Sequence, residues 1–164
     1  MIYRPQFAYP TPDGCRDVDY VYYFDGSNTP LLNQNVSGLN IPNIPLTLEQ
    51  DVPFYWRGIK VNADRQQSAG VPHLYSVPNF KVRFDDWSWN KLSDDFVPAT
   101  LYGYPSNAWQ FNNAQLTGPP VPIQEIYCPA GSVQWLNLQV PTLSGDSHFV
   151  SVSLHGVKRY KECL

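Results

Sequence analysis

Residues 147–160 read SHFVSVSLHGVKRY. Val150, Val152 and Leu154 alternate with Ser151, Ser153 and His155, a period of two. Successive side chains of an extended strand point to opposite faces, so the pattern predicts a strand with one buried and one wetted face. The chain is then expected to leave the strand through Gly156 into a basic, aromatic tail. Two shorter runs repeat the pattern. Phe80, Val82 and Phe84 alternate with Lys81 and Arg83, and Ile44, Leu46 and Leu48 share one side of a third segment.

Further strands are predicted at residues 18–24 (VDYVYYF), 53–61 (PFYWRGIKV), 123–128 and 133–140, the last two joined by a turn at Pro129-Ala130-Gly131-Ser132. The segments at 44–50 and 53–61 are expected to form a hairpin or a corner between sheets. Most of the sixteen prolines fall between these runs, where a missing backbone donor and a fixed φ end strands and open turns. Seven or eight short strands with turn signals between them, and no convincing helix, predict an all-β fold: a single antiparallel β-sandwich, jelly-roll type, with an extended N-terminal arm. An immunoglobulin-like sandwich is the alternative, without its Cys…Trp…Cys pattern.

The arm is residues 1–12, where Pro5, Pro10 and Pro12 prevent helix and Tyr3, Phe7 and Tyr9 offer surface to bury; the domain is 13–164. Residues 62–70 (NADRQQSAG) are polar and read as a flexible loop. Residues 101–122 spread Tyr102, Tyr104, Trp109 and Phe111 through a long irregular stretch, a length that in a compact domain marks function or ordering by a partner.

At 164 residues the chain reads as one domain that buries about two-thirds of its unfolded surface. Charged residues make up 15% and aromatics 15%, a balance that excludes disorder and fits either a strand-rich protein or a surface covered by something else. A net charge of −3 without a basic run argues against nucleic acid. Lys158, Arg159 and Lys161 form a small basic end, read either as a solvated strand terminus or as part of a contact surface. Cys15, Cys128 and Cys163 are widely spaced and give no zinc pattern, and a single bridge is left open. No signal-peptide core or membrane-length apolar run is found, so synthesis in a reducing cytoplasm is expected.

Chemistry is sparse. The doublets Asp85-Asp86 and Asp94-Asp95 are sequence neighbours, which on a strand point apart, so neither predicts a catalytic dyad. His73, His148 and His155 form no metal-ligand spacing, and no phosphate loop or nucleophile motif occurs. No cofactor, metal or catalytic residue is assigned. Of five tryptophans, Trp56 and Trp135 lie within strands and are expected in the core. Trp87 and Trp89, two apart, share a face if a strand persists there, and with Trp109 they could stack on sugar rings.

The order of elements carries a resemblance. An aromatic-Trp-Arg-Gly-Ile strand (residues 54–59) precedes a polar loop, then Phe-x-Val-x-Phe-Asp (80–85), then Glu-x-Tyr-x-Pro-x-Gly (125–131), and finally SVSLHGVKRY. Over residues 51–160 this resembles small jelly-roll virion proteins of tailed phages and prophages, of which capsid cement and decoration proteins are the best-known kind. The resemblance implies a non-enzymatic structural role in the virion, binding the major capsid protein or other virion proteins as a dimer or trimer. The residues that would make such contacts are Tyr3, Arg4, Phe7 and Tyr9 of the arm, Tyr102, Tyr104, Trp109 and Phe111 of the long loop, and Lys158 and Arg159. The alternative is a carbohydrate- or host-receptor-binding module that uses Trp87, Trp89 and Trp109.

Overall fold

The structure is a computed structural model that describes residues 11–33, 38–67, 80–102, 120–140 and 146–161. Within them lie β1 (Cys15–Phe24), β2 (Asn40–Thr47), β3 (Phe54–Gln67), β4 (Lys81–Asp85), β5 (Val97–Pro98), β6 (Val121–Cys128), β7 (Val133–Gln139) and β8 (Asp146–Lys161). Two single 3-10 turns, at Pro30–Leu32 and Ala99–Tyr102, are the helical elements among the described residues. The strands form two four-stranded antiparallel sheets: sheet 1 in the order β1-β8-β3-β6 and sheet 2 in the order β2-β7-β4-β5. The fold is therefore an all-β antiparallel sandwich, as its alternating runs require.

The inward positions follow the alternation. Val150, Val152 and Leu154 of β8 are buried against Ile44, Leu46, Phe84, Leu136 and Leu138 of sheet 2. In β3 a bulge between Trp56 and Gly58 shifts the register. Phe54 and Trp56 face inward before it, and Ile59 and Val61 after it, so the buried parity switches from even to odd. The residue set aside by the switch is Arg57, which is only 7% exposed.

Two sequence expectations are corrected, and one left open between two arrangements is decided. Residues 62–67 are not loop: β3 runs on to Gln67, paired with the start of β8 at Asp146. Backbone pairing along fourteen residues outweighs the polar character of that segment. Of the two arrangements expected for residues 44–50 and 53–61, the chain takes the corner between sheets and not the hairpin: β2 belongs to sheet 2 and β3 to sheet 1. Nor does the last strand end at Gly156. β8 continues to Lys161, and Gly156 lies between Tyr20 and Trp56 in register. A Cβ there would meet the Tyr55 carbonyl oxygen at 2.0 Å, so glycine admits the close approach of β3 and does not terminate β8.

Prolines 42 and 45 lie inside β2. Among the described residues β2 is an edge strand paired only with β7, and an edge tolerates the missing donors. The connections 48–53, 86–96 and 129–132 meet at one end of the sandwich: Leu48 N–H donates to the Ser132 carbonyl at 3.0 Å, and Gly131 N–H to that of Glu49 at 2.7 Å.

Candidate functional site

At that end, the outward face of sheet 2 carries the most exposed aromatic surface in β4, β7 and their connections. Trp135 of β7 alternates with the buried Gln134 and Leu136, so its side chain stands outside the core and not in it as expected. Trp89 stacks on it, with ring centroids 4.6 Å apart and planes 11° from parallel. Trp89 is 55% exposed and Trp87 42%. They do not sit on a continuing strand. The chain turns after Asp85, and Trp89 takes φ +66°, the left-handed region that a bulky residue rarely enters.

Asp86 holds this turn. Its carboxylate accepts from the Ser88 N–H at 2.8 Å, the Asn90 N–H at 2.9 Å, the Ser88 hydroxyl at 2.9 Å and the Asn90 amide at 3.1 Å. Burial works to raise the Asp86 pKa, but the hydrogen bonds from Asn90 and Ser88 prevail and hold it below the ordinary carboxylate value. Trp87 is fixed at both ends: its backbone N–H donates to the buried Gln134 side chain at 3.1 Å, and its indole N–H to the Tyr127 carbonyl at 2.8 Å. Across the strands, Asp85 lies opposite Trp135 and Arg83 opposite Asn137. Arg83 donates two N–H groups to Asp85, each at 3.1 Å, and Asn137 donates a third at 3.1 Å. The doublet Asp85-Asp86 is thus split between a sheet-face ion pair and a turn, and is not a paired acid.

The outward face of sheet 1 carries a charged ladder, with Val21, Tyr23 and Tyr127 exposed beside it. Arg159 of β8 grips Asp17 of β1 with two bonds at 2.7 and 2.8 Å and lies 3.9 Å over the Tyr55 ring. Arg57, displaced outward by the bulge, reaches Glu125 of β6 at 2.6 Å and Asp17 at 3.4 Å. The hydrogen bonds from Arg159 hold the Asp17 carboxyl below its usual range. Farther along, the Ser153 hydroxyl lies 2.9 Å from Nε2 of His155. Burial, and then the charge of Lys60, push that imidazole down to about 4, so it is neutral near pH 7 and a weak base.

The basic end divides. Lys158 is on the inward side of β8 and 2% exposed, not a solvated terminus. Its ammonium sits 4.0 Å over the Tyr20 ring, donates to Asp51 at 2.8 Å and also pairs with Glu49. Burial would lower the Lys158 pKa, but the two carboxylates overrule it and raise it. A side groove of about 520 Å³ between β1 and β2 is lined by Tyr20, Tyr22, Phe24, Pro30, Pro45 and Glu49. Cys15 and Cys128 are free thiols, and burial pushes Cys128 up to about 12.

The other residues singled out from the sequence are placed as follows. Tyr102 is half-buried and packs edge-on against Phe84 in the core, 5.4 Å between centroids. Tyr3, Arg4, Phe7, Tyr9, Tyr104, Trp109 and Phe111 lie outside the described residues, as do His73 and Cys163. Trp56 is fully buried, as expected. Trp135 was missed as a surface residue, although its alternation with Leu136 and Leu138 already places it on the opposite face. Among the described residues, no group of three or more His, Cys, Asp or Glu could hold a metal ion, and no helix is long and apolar enough to cross a membrane.

No protein-family model, curated protein or solved structure matches this chain. What the molecule does must therefore be read from its own geometry.

Proposed function

We propose that this chain is a non-enzymatic structural protein of a phage particle, a jelly-roll auxiliary protein that binds and stabilises the capsid. One observation carries the reading. β1 pairs with β8, β2 with β7, β3 with β6 and β4 with β5, the pattern made when one long hairpin rolls into two sheets. Such a rolled hairpin is what a jelly roll requires. Jelly rolls serve many functions, so the connectivity supports the role together with the sequence resemblance to virion proteins and not alone. The four elements of that resemblance fall in β3, β6 with its following turn and β8, which are neighbours in sheet 1, and in β4 of sheet 2.

Arg57, Lys158 and Arg159 are engaged inside the chain. The partner contacts in this reading fall to the aromatic residues and to the arm. A second reading, a carbohydrate- or receptor-binding module, is favoured by the exposed Trp89–Trp135 stack.

The test is direct. Virus particles induced from a culture that carries the gene are purified and probed with an antibody to the full chain. The reading expects the protein in the particle at many copies, and a purified chain that sediments as a dimer or trimer. Particles free of it would overturn the virion role.

A further inference from the structure

We infer that the Trp89–Trp135 stack is the floor of a binding site for a pyranose ring, with Arg83 and the exposed Ser88 and Asn90 at its rim. The inference rests on the second reading above and names its ligand class and its residues.

One face of Trp89 is covered by Trp135, and yet the side chain is 55% exposed, so the exposure belongs to its other face and its edges. Burying apolar surface is therefore not what holds this indole in place. Its backbone is left-handed, a conformation that is strained in a residue with a side chain. The turn is locked in that shape by four bonds to the Asp86 carboxylate and by the Trp89 N–H donating to the Asp86 carbonyl at 2.9 Å. A strained, rigidly held and solvent-facing indole is preorganised for something outside the chain.

The surroundings select the kind of ligand. A protein hot spot sits in a pocket ringed by neighbours that exclude water. Here the residues beside the indole are Ser88, Asn90 and Lys91, all exposed. Across from Trp135, Asp85 is buried and taken up by Arg83 and Asn137, which leaves the partly exposed Arg83 as the charged group of that side. A flat apolar floor with exposed polar groups at its edge matches a molecule that is apolar on one face and hydroxylated at its rim. A pyranose has that form: its axial C–H groups can lie on the indole while its hydroxyls meet the polar groups.

The experiment titrates the full chain with gluco-, galacto-, manno- and N-acetylglucosamine oligosaccharides, read by calorimetry and by tryptophan fluorescence. We expect saturable binding to at least one series. Trp89→Gly, which suits the left-handed backbone, is expected to weaken it at least tenfold with the fold retained, and Arg83→Gln to weaken it severalfold. Binding that survives Trp89→Gly would move the sugar to another surface and overturn this site while leaving the second reading. No binding across the panel would overturn both. Self-association lost in Trp89→Gly, with no sugar response in the parent, would make the stack a contact between copies and overturn the inference.

Discussion

The outward faces of the two sheets differ in how their residues are satisfied. On sheet 1, Asp17, Arg159, Arg57 and Glu125 run across all four strands and answer one another at 2.6–3.4 Å. Their side chains are 9–19% exposed, so little is left to offer another molecule. On sheet 2, Arg83, Asp85 and Asn137 also satisfy one another, but the neighbouring Trp89 is stacked, strained and open. Charge on a sheet face is thus a poor guide to function when the opposite charge comes from the next strand. An exposed aromatic residue in a costly conformation is the better guide: the Asp86 turn holds Trp89 there, and yet 55% of it stays in water.

This contrast makes sheet 1 the face where mutation changes stability and sheet 2 the face where it changes binding. The largest effect is expected from Arg57→Ala, which removes the 2.6 Å bond to Glu125 and weakens the hold on Asp17 inside a mostly buried network. Removing one partner of such a pair costs about 3–5 kcal/mol. Urea denaturation should show the midpoint falling strongly, whereas a loss below about 1 kcal/mol would place the ladder with ordinary surface pairs.

His155 gives the next effect, and its sign follows from its environment. The folded chain keeps the imidazole neutral down to about 4, while the unfolded chain takes up a proton near 6.5. Stability from this group is complete above pH 6.5 and declines as the pH falls from 6.5 to about 4. At about 1.4 kcal/mol for each pKa unit, the loss is on the order of 3 kcal/mol. His155→Gln should flatten that stretch of the stability profile. An unchanged slope would mean that the imidazole is hydrated and the sheet 1 face more open than it looks.

The smallest stability effect belongs to sheet 2. Trp89→Gly relieves a strain of about 1–3 kcal/mol and loses a stack worth about 0.5–1.5 kcal/mol. The melting midpoint should move only by the balance of the two, between a loss of about 0.5 kcal/mol and a gain of about 2.5 kcal/mol. A collapse in stability would make Trp89 a structural anchor and erase the contrast between the faces.

The sequence by itself determined the class of fold. Alternation at 44–48, 80–84 and 150–154 is a local property, since a strand buried on one side needs apolar groups at every second position. The same logic, applied to 133–139, places Trp135 opposite the core leucines, so half of the aromatic site was legible there. Tertiary structure alone decided the rest. Polar residues 62–67 become strand because β8 offers them a backbone partner. Lys158 becomes interior because Glu49 and Asp51 arrive from a turn more than a hundred residues away. Trp89 meets Trp135 because the Asp86 turn folds back over β7. Periodicity records which face a residue takes relative to its neighbours in the chain. It carries no record of which distant strand, carboxylate or indole will stand across from it, and the charge pairs and the aromatic platform are made of such meetings.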